Sequence, residues 1–491
     1  MAITQTQNLN IPCSNRYPGV RQADPPSSPD RMLLPELVLE ATGSNAYKCY
    51  QCIKCTSGCP LADQFDLAPH QVMRSVQFND PVVLESRSIW LCASCQTCTT
   101  RCPQQIDVAG VMDALRIESR RRGIEPAVPE IARFNELFMR CIRIFGRAWE
   151  LGLATAFNMA LRQPLRDSKL GRKMFARGKM KILPHFARGR AKPGARSGSA
   201  AENPNAVGYF PGCSLNATSV EYGKSVKSVA HALDIELLEP RDWVCCGSSP
   251  AHATDAKLAR LMPMKTIAAV EQMGLATLTS PCSACFSRFK QAERATRENE
   301  AVRGEISAAL DYEYQGSVEV RHLLDVIVEQ TGLDAVSKRV TQPLKGLRLA
   351  CYYGCLITRP AGVTAAENPE YPVKMDRLIK ALGGQTVEWS RKTDCCGGSL
   401  AISKTDAALG LISNIMQDAR ACGAEAIVTM CPICHLNLDS RQGEAVDGPA
   451  LPVFQATQLM ALAFGQNEKG TALGNNLVDP KPYLREKGVL A

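Results

Sequence analysis

Between residues 128 and 186 apolar side chains recur at helical spacing. Ile131, Phe134, Leu137, Phe138, Cys141, Ile142 and Phe145 fall at i, i+3, i+4 and i+7, which predicts amphipathic helix. After residue 205 the pattern changes to short apolar runs that end in cysteine, in NAVGYFPGC, GLATLTSPC, GLRLACYYGC and AEAIVTMCPIC. Such runs read as strands followed by a turn and a helix. Residues 188–205, RGRAKPGARSGSAAENPN, separate the two regimes, and without periodicity they read as a linker. The expected organisation is a loose lead-in over 1–45, a helical domain over 46–187, the linker, two α/β units over 206–343 and 344–465, and an extended tail over 466–491.

Composition changes this picture little. A chain of 491 residues is too long for a single core, and 45% apolar with 21% charged residues is ordinary for a globular protein. Aromatics at 6% argue against RNA recognition by base stacking. Charge is more informative. The net +9 is carried by residues 116–196, where twenty Lys/Arg stand against six Asp/Glu. Such a stretch suits nucleic acid, an anionic membrane or an acidic protein face. No nucleic-acid motif accompanies it, so a solvated face with a docking surface for a second polypeptide is expected. The first residues, MAITQTQNLNIPCSNRYPGV, lack the apolar core of a secretory signal, and no apolar run reaches the length of a span. A cytoplasmic protein is therefore expected, in which twenty-two cysteines serve as metal ligands or redox groups rather than disulfides.

Cys49, Cys52, Cys55 and Cys59-Pro60 form a C-x2-C-x2-C-x3-C-P run, and Cys92, Cys95, Cys98 and Cys102-Pro103 repeat it. This is the two-cluster ferredoxin signature, in which the fourth cysteine of each run serves the other cluster. One 4Fe-4S cubane is thus assigned to Cys49, Cys52, Cys55 and Cys102, the other to Cys92, Cys95, Cys98 and Cys59. Zinc is the alternative for any C-x2-C pair, but it explains neither the third close cysteine nor the proline. The insert between Cys59 and Cys92, with helix-like QVMRSVQF and strand- or helix-like VVLESRSIW, points to a helical version of this domain.

The second half carries a rarer pattern twice. Cys213, Cys245, Cys246, Cys282 and Cys285 are answered by Cys355, Cys395, Cys396, Cys431 and Cys434. A tandem duplication is expected. Adjacent cysteines in an extended chain face opposite ways, but at a turn before Gly247 or Gly397-Gly398 both thiolates can converge. Cys282 and Cys431 fall at expected helix starts, where free N–H groups favour anionic sulfur. Zinc or a redox dithiol remains the alternative for each C-x2-C taken singly. Cys13, Cys141, Cys351 and Cys422 read as incidental or buried thiols. His435 and His252 stand near these cysteines and could bond cluster sulfur or substrate, though an ordinary structural histidine is the plainer reading.

At these residues the chain resembles heterodisulfide reductase. KCYQCIKCTSGCP, the segment through LCASCQTCTTRCP and the basic helical stretch are similar to that enzyme's C component. YFPGCSL, WVCCG, CYYGCLITRPAG, DCCGG, MCPICHLNLDSRQ and VFQATQLMALAFG are similar to its B component. The resemblance implies a C–B fusion: a mainly α-helical two-cluster ferredoxin domain followed by an α/β region of two repeated cysteine-rich (CCG) domains. It further implies two non-cubane 4Fe-4S clusters, on Cys213, Cys245, Cys246, Cys282 and Cys285 and on Cys355, Cys395, Cys396, Cys431 and Cys434. Cys351 competes with Cys355, which is preferred because it matches the family's YGC element. Between two such clusters the family cleaves a disulfide, one sulfur going to each. The chain has no GxGxxG after a strand and so no expected flavin or nicotinamide site. The family points instead to a flavin- and cluster-bearing partner like its A component, within a larger electron-bifurcating or hydrogenase- or dehydrogenase-linked complex. Two rivals remain. One is an electron-transfer subunit without disulfide chemistry, as in glycerol-3-phosphate, glycolate and lactate dehydrogenases, and the other is a structural zinc scaffold.

Overall fold

A computed structural model describes residues 32–187 and 203–490, so Cys13, most of the lead-in and nearly all of the 188–205 linker lie outside the described residues. Part of the expected lead-in is helical. Helix α1 (Leu34–Thr42) carries Pro35 in its first turn and ends at left-handed Gly43, burying Leu34 and Val38. It packs on α2 (Val108–Arg121), whose first turn is capped by the Asp107 carboxylate accepting from Gly110 N–H.

The helix expected across 128–186 forms, but in three pieces: α3 (Pro129–Phe145), α4 (Glu150–Ala160) and α5 (Ser168–Ala176). Gly146 closes α3 at φ 74°, a conformation that costs glycine nothing. Pro164 and left-handed Asp167 interrupt the next stretch. The amphipathic reading of α3 holds: Ile131, Phe138, Cys141 and Ile142 are buried. VVLESRSIW, which resembled either strand or helix, forms a 3₁₀ turn and a short helix.

The second half holds two four-stranded parallel sheets. In the first, β1 (Ala206–Tyr209) lies between β2 (Glu236–Leu238) and β3 (Thr277–Ser280), and β4 (Glu319–His322) flanks β3. The second repeats this order with β5 (Arg348–Tyr352) between β6 (Gln385–Thr386) and β7 (Ala426–Thr429), and β8 (Val453–Gln455) beside β7. Strand order reverses between β1 and β3, and between β5 and β7. At such a reversal the loops after the two strands diverge and leave a crevice at their carboxyl ends. Cys213, Cys282, Cys355 and Cys431 all lie just beyond those ends. The duplication seen in cysteine spacing is therefore a duplication of sheet and crevice.

The two units share one core, in which Val207, Tyr209 and Val226 join Leu349, Val428 and Phe454. Residues 466–490, expected as an extended tail, instead form two short α-helices with a 3₁₀ turn between them and bury Leu473, Leu484 and Val489 in that core. Polar and turn residues between these leucines hid the pattern. Asp439 supplies what the tail's backbone lacked, its carboxylate accepting from Leu477 N–H and Val478 N–H at 2.7 and 2.9 Å. Among the described residues no helix is long and apolar enough to cross a membrane.

Candidate functional site

In the ferredoxin half the two runs share a backbone device. Gln51 and Ile53 between the first cysteines, and Ser94 and Gln96 between the second, all have φ between 50° and 66°. Left-handed non-glycine residues cost of order 1 kcal/mol each, and alternation of right- and left-handed residues makes N–H concavities that bind anions. The same two-position strain in each run fits a common thiolate-ligated cluster that is anionic overall. Cys49, Cys52 and Cys102 surround Tyr50, and Cys55 lies beside Cys49. Gln51 Nε2 and the Ile106 N–H donate to Cys49 and Cys102 sulfur at 3.4 Å. Cys59, Cys92, Cys95 and Cys98 line one small cavity of about 20 Å³. The fourth cysteine of the first run thus joins the first three of the second, and conversely.

Burial pushes the thiols of Cys59 and Cys98 up, and that of Cys92 to about 12. Buried thiols that resist ionisation as free groups are suited to a cationic core that displaces their protons. Among the described residues no three His, Cys, Asp or Glu side chains close on one point as a single ion requires. The thiols instead ring small spaces, and a polynuclear cluster fits that donor set better than zinc.

All ten cysteines of the two five-cysteine sets line a single cavity of about 490 Å³. In each adjacent pair the second cysteine turns toward the C-x2-C of its own repeat, and in the second repeat Cys395 lies instead beside Cys355 and Cys95. Cys246 sulfur lies 3.2 Å from Cys285 sulfur, and Cys396 sulfur 3.6 Å from Cys434 sulfur. Gly397 N–H donates back to Cys395 sulfur at 3.3 Å. Gly354, at φ 69°, would as alanine place its Cβ only 2.9 Å from Cys434 sulfur, so backbone must approach the thiols here. Cys351 takes no part. It lies fully buried on β5, its thiol held up by burial and by Asp376, while Cys355 lines the cavity beside Cys395.

The sets touch in an order that chain order does not give. Cys95 of the ferredoxin half lies beside Cys395 of the second repeat, and Cys431 of that repeat lies beside Cys282 of the first. The neighbouring Cys395 thiol pulls the Cys95 thiol down to about 6, with help from the Arg359 guanidinium. Arg359 is a residue that spacing alone did not single out, although it lies inside CYYGCLITRPAG. It is buried, donates to Thr97 Oγ1, Thr393 O and Thr393 Oγ1 at 2.8 Å each, and pairs with Glu370 at 3.0 Å. It thereby ties the second repeat to the ferredoxin half at the contact between their cysteines.

The two histidines are structural in their contacts. His435 is buried with Nε2 on the Val453 carbonyl at 2.9 Å, and burial drives it down to about 3. His252 Nδ1 sits 2.7 Å from Asp113, joining the first repeat to α2. Cys141 accepts from Trp149 N–H at 3.3 Å, and Cys422 ends a helix.

The cavity roof comes from α4, α5 and their connection, which no motif announced. Leu151, Ala154, Leu170 and Met174 face the ten cysteines. Asp167 holds the roof to Arg441 through two bonds of 2.7 Å, and Lys179 holds it to Glu221 at 2.5 Å. Glu150, half-buried beside Thr218, is the carboxyl in this lining raised furthest, from 4.5 to about 7, chiefly by burial. Its folded form keeps a proton that the unfolded chain releases, so its contribution is full below pH 4.5 and is lost as pH rises through 7. Glu150→Gln is expected to abolish about 1–2 kcal/mol of that decline, after allowance for partial solvent screening. Denaturation midpoints of both proteins from pH 5 to 8 check it.

Comparison with known proteins follows the same division. The family model described as a cysteine-rich domain (CCG) matches residues 207–290 and 349–439, and that described as a 4Fe-4S dicluster domain matches 48–107. The chain is 31% identical over 278 residues to the 8-methylmenaquinol:fumarate reductase membrane anchor subunit of Wolinella succinogenes, covering 55% of this chain and 96% of the relative. It is 26% identical over 289 residues to the B component of the ferredoxin/F(420)H(2)-dependent CoB-CoM heterodisulfide reductase of Methanosarcina acetivorans, covering 57% of this chain and 95% of the relative. Identity to the C component of the ferredoxin:CoB-CoM heterodisulfide reductase of Methanosarcina mazei is 34% over 104 residues, 21% of this chain and 63% of the relative.

Proposed function

This chain belongs to the family of the heterodisulfide reductase B and C components, and on that premise we propose that it relays electrons to a cavity where a disulfide is reduced to two thiols. It is an iron–sulfur electron-transfer subunit related to that reductase. In the proposed reading Cys49, Cys52, Cys55 and Cys102 hold one cubane, and Cys59, Cys92, Cys95 and Cys98 the other. Cys213, Cys245, Cys246, Cys282 and Cys285 hold one non-cubane cluster, and Cys355, Cys395, Cys396, Cys431 and Cys434 its twin. When bound, the clusters supply one-electron transfer, and the paired five-cysteine sites supply iron that takes sulfur. The observation that carries the reading is that all ten cysteines face one cavity, with Cys95 against Cys395 at its edge.

The reaction consumes two electrons and two protons per disulfide, breaks the S–S bond and forms two S–H bonds. Its electrons come from a flavin- and iron–sulfur-bearing partner like the family's A component. The chain's own part is to hold the sulfurs of two repeats around one space and to roof it with the apolar faces of α4 and α5, which limits water. A second reading is favoured by the relative named as a fumarate reductase membrane anchor subunit, whose 31% identity spans nearly its whole length. Here the same wire exchanges electrons with a quinol-linked oxidoreductase, and no disulfide is cleaved.

Iron counting with electron paramagnetic resonance after anaerobic purification tests the proposal. About 16 irons are expected for four 4Fe-4S clusters, with a signal in the oxidised protein that changes when candidate thiols are added. About 8 irons and no such signal would sink disulfide reduction. Sixteen irons with a thiol-insensitive signal that menaquinol analogues reduce would favour the second reading.

A further inference from the structure

The roof of the cavity has an outer face that the relay does not use. Between 151 and 187 the chain carries eight Lys or Arg and a single acid, Asp167, which Arg441 holds. Most basic residues nearer the start of the 116–196 stretch are engaged internally, Arg133 and Arg140 of α3 being exposed. Arg116 donates to the Ile89 carbonyl, Arg120 pairs with Glu136, Arg122 with Glu118, and Arg147 lies over Trp243. Those of α5 and its flanks are different: Arg162, Lys169, Arg172, Lys173 and Lys181 are exposed. Among them stand Met159, Leu165, Phe175, Ile182, Leu183 and Phe186, also exposed, with Leu165 at 79% and Leu183 at 78%.

Single exposed leucines are normal on any protein. Six large apolar side chains within one short stretch, interleaved with cations and with no exposed acid, are not. That combination matches an interfacial surface whose apolar side chains enter the headgroup boundary while cations meet anionic lipid. An acidic protein face would satisfy the cations, but it offers no place for side chains standing this far into solvent without matching pockets. The segment is also held stiffly from behind, by Lys179–Glu221, Asp167–Arg441 and Arg177 on the Gly474 carbonyl. A stiff platform loses little entropy on docking.

We propose that α4, α5 and the residues to Phe186 form a docking surface for an anionic lipid bilayer. The surface lies on the bilayer and does not span it. Because the inner side of the same helices walls the ten-cysteine cavity, docking brings that cavity next to the membrane. This holds whichever reaction the cavity runs.

The full chain, purified anaerobically, is sedimented with vesicles of phosphatidylcholine alone and with one-third phosphatidylserine. Binding at least tenfold stronger to the anionic vesicles is expected, weakening as salt is raised. Two variants separate the contributions. Leu165→Glu with Leu183→Glu removes the apolar anchor, and Arg172→Gln with Lys173→Gln removes two cations, each of the latter worth about fivefold. Both should lose vesicle binding by tenfold or more while iron content and melting temperature stay unchanged, since these side chains face solvent. Equal binding to neutral and anionic vesicles, or variants that bind like the parent, overturns the proposal. Loss of a co-purifying protein in these variants, without vesicle binding by the parent, assigns the surface to a protein partner and overturns it equally.

Discussion

Cys355→Ala is expected to leave about 12 irons per chain where about 16 are expected of the parent, while Cys351→Ala keeps the full number. The two cysteines stand four apart in CYYGC, and either could head the second five-cysteine set on spacing alone. Their surroundings differ completely. Cys355 lines the cavity and neighbours Cys395, whereas Cys351 points into the core from β5, between Asp376 and Lys392. Removing Cys351 sulfur costs a small core contact, of order 1 kcal/mol in stability. Removing Cys355 opens the second set at the point where electrons from Cys95 would enter, so reduction of that site should fail as well. Iron and sulfide analysis with resonance spectra of both variants decides it. Loss of iron on Cys351→Ala, with none on Cys355→Ala, would reverse the assignment.

Lys179→Ala is expected to destabilise the protein by roughly 3–5 kcal/mol, the usual consequence of removing one partner of a buried ion pair. Both side chains are 0% exposed, and the ammonium lies 2.5 Å from Glu221 Oε2. Among the described residues the other Glu221 oxygen pairs only with His435 Nδ1, at 3.4 Å, so no second cation there stands ready. Burial already raises the Glu221 carboxyl, and loss of the lysine raises it further. A carboxyl with a raised folded pKa is favourable below its unfolded pKa and loses that contribution as pH rises through the folded value. The variant's deficit should therefore be small in acid and greatest at neutral pH and above. Lys179→Met combined with Glu221→Gln, which removes both charges, should recover more than half of the loss. Denaturation midpoints of the three proteins between pH 5 and 8 measure this. A Lys179→Ala deficit that does not change with pH would show that loss of the lysine does not raise the Glu221 carboxyl.

The candidate cluster cysteines are legible as sets because the signal is local. Three cysteines at three-residue spacing must lie on one small loop, and a proline turns the fourth away, whatever surrounds them. The same holds for the repeat. Cys-Cys-Gly after one strand and Cys-x2-Cys at a helix start recur because each sits at the carboxyl end of a strand whose apolar run is itself visible. The helix through Ile131, Phe138 and Ile142 was visible for the same reason, although its breaks at Gly146 and Asp167 were not placed. The tail was misread because Leu473, Leu484 and Val489 are spaced by turns and follow no period, and only the shared core gives them a common direction.

What the sequence by itself determined is grouping: which cysteines share a motif, and that the second half is one unit made twice. Each depends on neighbours within a few tens of residues. What only the tertiary structure decided is adjacency. That Cys95 meets Cys395 before the first repeat is reached, that Cys282 meets Cys431, and that α4 and α5 roof the cavity all depend on contacts between residues far apart in the chain. No local pattern encodes such contacts, because they are set by how three separately formed units bury their remaining apolar faces against one another.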